Sequence, residues 1–87
     1  MIEKISWTTS AWSDYLYWQS QDKKTLNRIN LLIENMIRTP FDGIGKPERL
    51  KDNLSGFLSR RIDDTNRIVY AVDGNQITII PCRYHYQ

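Results

Sequence analysis

An α+β fold is predicted for this chain: a β-α-α unit followed by an antiparallel β-meander. Three observations carry that expectation. The chain has 87 residues, which is one domain's worth. Through the first half, apolar residues recur at helical spacing. Beyond Gly45 the spacing changes to alternation, broken by short runs of turn-forming residues.

Each element has a local reason. Residues 2–7 are β-prone and end at polar residues, which predicts a first strand. Thr8, Thr9 and Ser10 offer hydroxyls to cap a helix over about residues 10–19. That helix carries Trp12, Tyr15, Tyr17 and Trp18, aromatics spread too widely to face one core, so an interface and a homodimer are expected. Asp22 can cap a second helix, whose Leu26, Ile29, Leu32, Ile33, Met36 and Ile37 form one broad apolar face. It ends at Thr39-Pro40, because a residue before proline avoids helical backbone. Residues 41–47 hold Gly43, Gly45 and Pro47 and predict a loop. Strands follow over 56–62, 67–72 and 76–86, joined by turns at 63–66 and 73–75. Pro81 inside the last strand predicts an edge position or a bulge.

Composition narrows the function classes. The single cysteine, Cys82, leaves no internal disulfide, and the Cys/His sets of a structural zinc site are missing. On an alternating strand Cys82 reads as a small buried hydrophobe. The start, MIEKISWTTS, is too short and polar for a signal peptide, and no apolar run approaches a membrane span, so a cytoplasmic protein is expected. Net charge is only +2, but its distribution is uneven. Lys46, Arg49, Lys51, Arg60, Arg61 and Arg67 stand in one stretch, against Glu48, Asp52, Asp63 and Asp64. Such a stretch suits a phosphate-bearing ligand; on charge alone, a solvated face is the plainer reading.

Three residues are candidates for chemistry. His85 is the only histidine, Glu48 follows a stiffening proline, and Arg67 opens a strand directly after a turn. An arginine placed there can hold a phosphate through two parallel hydrogen bonds. Singly, each has a simpler role: an idle histidine, an exposed loop acid, a strand-end charge paired with Asp63 or Asp64. Together they fit one reaction, the cutting of RNA by its own 2′-hydroxyl. That reaction needs a base, an acid for the 5′-oxygen, and positive charge on the phosphorane-like transition state, and Glu, His and Arg supply all three without a metal or cofactor. Convergence depends on register. With Ile62 opposite Ile68, and Val72 opposite Gln76 across a three-residue turn, Arg61, Arg67 and His85 share one sheet face; a two-residue turn sends His85 to the other.

Five segments then resemble a known family in order and spacing: Trp12-Ser-Asp-Tyr-Leu-Tyr-Trp18, Thr39-Pro-Phe-Asp-Gly-Ile-Gly-Lys-Pro-Glu48, Leu54-Ser-Gly-Phe-Leu-Ser-Arg-Arg-Ile62, Arg67-Ile-Val-Tyr-Ala-Val72 and Cys82-Arg-Tyr-His-Tyr86. The chain resembles the YoeB/Txe toxins of the RelE/ParE superfamily over nearly its whole length. The resemblance implies a RelE-type, microbial ribonuclease-like toxin fold and a type II toxin–antitoxin system. It implies an endoribonuclease that cuts mRNA in the ribosomal A site, silenced by a YefM/Phd-type antitoxin that also makes the operator DNA contacts. On the matching positions, Glu48 is implied as general base, His85 as general acid and Arg67 as transition-state anchor. Lys51, Arg61 and Tyr86 are implied to orient RNA. An acidic antitoxin segment is expected to dock on the basic 46–67 region. Four positions depart from the pattern: Gln87 follows Tyr86, Leu58 stands for an aromatic, Arg49 for a proline, and Pro81 interrupts the last strand. None removes a catalytic group. Two other functions remain open on this fold: gyrase inhibition of the ParE type, which needs no catalytic trio, and RNA or ribosome binding without chemistry.

Overall fold

Thr8 and Asp22 delimit the helices. In the computed structural model, which describes residues 1–83, the Thr8 hydroxyl accepts the Ala11 N–H at 3.0 Å and opens α1, Thr9–Gln21. The Asp22 N–H donates to the Trp18 carbonyl and closes α1. The Asp22 carboxylate accepts from the Lys24 and Thr25 N–H groups and the Thr25 hydroxyl, opening α2, Lys23–Arg38. Those bonds, the Thr25 hydroxyl foremost, hold its carboxyl below the usual range. Helix α2 buries Thr25, Ile29, Leu32 and Met36, one stripe at helical spacing, and stops at Thr39 ahead of Pro40.

The sheet has five strands: β1 Lys4–Trp7, β2 Glu48–Arg49, β3 Phe57–Arg61, β4 Arg67–Asp73 and β5 Gln76–Ile79. Their order is β1-β5-β4-β3-β2. Strands β2 to β5 pair antiparallel, whereas β1 runs parallel to β5. The α+β class and the meander stand as expected. Three details differ. The short β2 precedes the meander, between the expected loop over 41–47 and the expected strand from 56, where no element is expected. The first strand starts at Lys4 rather than at residue 2. The last strand ends at Ile79 rather than running to residue 86, of which residues 84–86 lie outside the described residues.

Register is where the sequence reading needs most correction. Arg61 pairs with Arg67 and Arg60 with Ile68, not Ile62 with Ile68; the shift is two in the sum of positions, so Arg61 and Arg67 still share a face. Asp73 pairs with Gln76, not Val72 with Gln76, leaving Gly74 and Asn75 as a two-residue turn with Gly74 at φ +60°. Only a left-handed residue lets so short a turn match the strand twist. That turn moves the even positions of β5 onto Arg67's face. A second change follows: Ile80 N–H donates to the Val69 carbonyl at 2.9 Å, and Val69 N–H donates to the Pro81 carbonyl at 3.0 Å. Two residues thus oppose one, a bulge, and Pro81 is back on the odd parity. Proline fits there because the Val69 carbonyl already accepts the Ile80 N–H, so no N–H is required of Pro81 within the bulge.

Both helices cover the sheet face that bears Leu58, Ile68, Tyr70, Ile77 and Ile79, and the core forms between the layers with Ala11, Trp18, Ile29, Leu32 and Met36. Cys82 is fully buried within it, as expected of a small hydrophobe, although the strand ends before it and the bulge rather than alternation turns it inward; burial pushes its thiol up to about 12. The chain following β5 is tied to α1: Trp18 Nε1 donates to the Cys82 carbonyl at 2.8 Å, and the Cys82 N–H donates to Asp14 at 3.2 Å.

Candidate active site

The face away from the helices carries Ser59 and Arg61 from β3, Arg67 and Val69 from β4, and Glu48 from β2. Glu48 reaches this group because β2 pairs it with Ser59, and Leu50 N–H extends the pairing to the Phe57 carbonyl at 2.9 Å. The Arg67 guanidinium donates to Glu48 Oε1 at 3.1 Å and through Nε to Ser59 Oγ at 3.4 Å. Arg67 is 13% exposed in its side chain and Glu48 61%. The arginine is therefore held in the sheet while the carboxylate stands at its rim. Together with Lys46, Arg61, Asp63 and Asp64 they line a cleft of about 160 Å³.

Arg61 lies directly across from Arg67. Two guanidiniums on paired positions repel unless an anion sits between or beside them. Here Asp64 takes Arg61 at 3.2 Å and Glu48 takes Arg67. Asp63 serves the turn, accepting the Thr65 and Asn66 N–H groups at 2.8 and 2.7 Å. Burial alone would push its carboxyl up, but those donors outweigh burial and hold it below the usual carboxylate range.

Of the expected site residues, Glu48, Arg67 and Arg61 come together in the cleft. Lys51 does not line it; it is exposed and stands just ahead of the 3-10 turn Asp52–Leu54, where its carbonyl accepts the Leu54 N–H at 3.1 Å. His85 and Tyr86 lie outside the described residues. Lys46 lines the cleft but was not singled out in the sequence. Its signal was local: Gly45 precedes it, and the backbone stays left-handed at Lys46, with φ +50°, which turns the chain so that Glu48 enters β2. Arg60, counted within the basic stretch, has no part in the cleft. It is fully buried on the opposite face.

A five-stranded sheet under two helices, with an acid–arginine pair on the face away from them, is a small α+β fold of the RelE type. The fold alone is shared with YafQ from Escherichia coli, at a TM-score of 0.79 and 14% identity over 98% of this chain and 94% of that one. The chain belongs to the family described as the YoeB-like toxin of bacterial type II toxin–antitoxin systems, whose sequence model matches residues 7–86. It is a toxin of such a system. It is 57% identical to the toxin YoeB of Synechocystis over 97% of this chain and 98% of that one, and 55% identical to the toxin YoeB of Escherichia coli K12 over 95% and 99%. Among solved structures, the YoeB/ParE toxin from Agrobacterium tumefaciens superposes at a TM-score of 0.94, with 48% identity over 97% of this chain and all of that one. The YoeB dimer from Staphylococcus aureus superposes at 0.90 with 46% identity, over 99% of this chain and all of that one. YoeB of that organism also forms a heterotetrameric complex with YefM.

Proposed function

We propose that this toxin is a metal-independent endoribonuclease that cuts mRNA in the ribosomal A site, with the 2′-hydroxyl as nucleophile. The observation that carries the reading is the 3.1 Å pair between Glu48 and Arg67 in a cleft lined by two further cations, Lys46 and Arg61. As a carboxylate at the rim, Glu48 takes the 2′-hydroxyl proton. The freed oxygen attacks phosphorus, the bond to the 5′-oxygen breaks, and His85 gives that oxygen a proton, leaving a 2′,3′-cyclic phosphate and a 5′-hydroxyl. Arg67 neutralises the charge that builds on the equatorial oxygens. Arg61, Lys51 and Tyr86 orient the RNA.

The partners follow the same family. A YefM/Phd-type antitoxin with an acidic segment docks on the basic 46–67 region, covering Lys46, Arg61 and Arg67 of the cleft, and supplies the operator DNA contacts. Staphylococcus aureus YoeB has both a YefM complex and a dimer. In this chain the exposed Trp12 and Leu16 offer a surface for a second copy. The complex acts in the cytoplasm, where ribosomes are.

Single-turnover cleavage on programmed ribosomes, with and without a 5′-thio leaving group at the scissile position, tests the roles. A thiolate leaves without protonation, so His85→Ala recovers on the thio substrate while Glu48→Gln and Arg67→Ala stay slow. Recovery of Glu48→Gln but not His85→Ala reverses the two roles. Intact message accompanied by supercoiling defects points to gyrase instead.

A further inference from the structure

Beneath the cleft, on the helix side of β3, the Arg60 side chain is fully buried. Its guanidinium has five N–H donors, and five bonds leave it. Nε donates to the Tyr70 hydroxyl at 3.0 Å. One terminal nitrogen donates to Asn35 Oδ1 at 2.6 Å and the Ile44 carbonyl at 3.2 Å. The other donates to the Thr39 and Asp42 carbonyls at 2.5 and 2.9 Å. No carboxylate among the described residues pairs with it.

A buried charge held only by neutral acceptors is a costly choice for stability alone, since apolar side chains of similar volume often serve as well. What it does here is shape a segment. Three of the five acceptors are main-chain carbonyls between residues 39 and 44, a stretch without helix or strand. The Tyr70 hydroxyl binds a fourth, at Pro40, at 2.8 Å. Asn35 Oδ1 also receives the Ile44 N–H at 3.1 Å. The wrapping is tight enough that a Cβ on Gly43 would meet Asn35 Oδ1 at 2.1 Å.

The segment so gathered leads straight to the cleft. The Gly45 carbonyl accepts the Arg61 N–H at 2.7 Å, Lys46 follows with left-handed backbone, and Glu48 enters a strand of two residues. So short an edge strand has few bonds with which to hold its own register. We propose that Arg60 is a positioning residue for Glu48: by ordering residues 39–44 from below the sheet, it sets where β2 begins and keeps the Glu48 carboxylate against Arg67. This deepens the nuclease reading and rests on it for its kinetic consequence.

Arg60→Lys keeps the charge but loses the planar fork and two of the five donors. At saturating programmed ribosomes it lowers the single-turnover rate by about a hundredfold, the cost of a displacement on the order of 1 Å, with the half-saturating concentration unchanged. Placed on Glu48→Gln, the same change costs less than about threefold, because residues that act through one another are not additive. In hydrogen exchange, the Arg61 and Leu50 amides, which bond to Gly45 and Phe57, lose protection while the β4–β5 amides keep theirs. Tyr70→Phe, which preserves the ring, shows the same pattern more weakly and decides the matter should Arg60→Lys not fold. Equal losses with and without Glu48, or a wild-type rate in the folded variant, overturn the proposal. Wild-type protein that leaves mRNA uncut sinks the nuclease reading instead. The exchange measurement then stands alone, and unchanged protection at Arg61 and Leu50 overturns the positioning role.

Discussion

Around the β2 edge of the sheet, side chains meet through charge: Glu48 with Arg67, Arg61 with Asp64, Lys46 beside them. Around the β1 edge they meet through rings. Trp7, Trp12 and Tyr15 form a triangle with centroids 5.0 to 5.8 Å apart, and Trp12 and Leu16 remain 47% and 46% exposed. The difference teaches where each function can sit. On the nuclease reading proposed above, the charged cleft takes a polyanion, whose contacts must form and release in water. A half-buried aromatic surface gains by being covered, which suits a lasting contact between chains.

The sharpest way to separate the two edges is to disable one and watch the other. Arg67→Ala is expected to slow cleavage by about 10²–10³, the cost of removing one donor to a developing charge, with the oligomeric state by light scattering unchanged. A change of mass in that variant would show that the edges are not independent. From the other side, Trp12→Asp is expected to weaken self-association by roughly thirtyfold, the scale of a hot-spot aromatic of about 2 kcal/mol. Sedimentation at several concentrations reads that shift, and a dimer of wild-type strength would remove α1 from the interface. Asp63→Ala has the smallest effect. It deletes the acceptor of the 63–66 turn and is expected to cost about 1 kcal/mol, or roughly 4–8 °C in Tm, at pH 7. Because the folded carboxyl is held below its ordinary value of 3.8, its stabilising contribution is present above about that pH and fades as pH falls through the lower folded value. The Tm gap between wild type and Asp63→Ala therefore closes in acid and stays constant between pH 5 and 8.

The elements were legible because their punctuation is local. Asp22 caps α2, Thr39-Pro40 ends it, and 63–66 turns the chain, each from its own few residues. Pairing was less legible because it depends on distant partners. Nothing in Lys4–Trp7 announces a parallel neighbour at Gln76–Ile79, and two-residue β2 is a strand only because β3 lies beside it. The neighbours Arg60 and Arg61 show the limit plainly. In sequence they are a basic doublet; the alternation of β3 sends one to the cleft and the other into a cage of carbonyls. Alternation predicts that they part, but the acceptors awaiting Arg60 come from a loop whose path no periodicity reveals. Glu48 and Arg67 were legible as types suited to one reaction, and their meeting needed the strand that the sequence did not disclose.

The parallel pairing of β1 with β5 also bears on when the protein becomes dangerous. As the chain is made, β1, α1 and α2 emerge first, yet β1 has no place in the sheet until its partner arrives 72 positions later. Strand β5 sits between β1 and β4, so a chain arrested before Gln76 lacks the piece that joins the two halves of the sheet. Contacts of such long span form late in folding. Assembly of the sheet is thus tied to the emergence of Gln76–Ile79, an interval in which an antitoxin already present can be waiting.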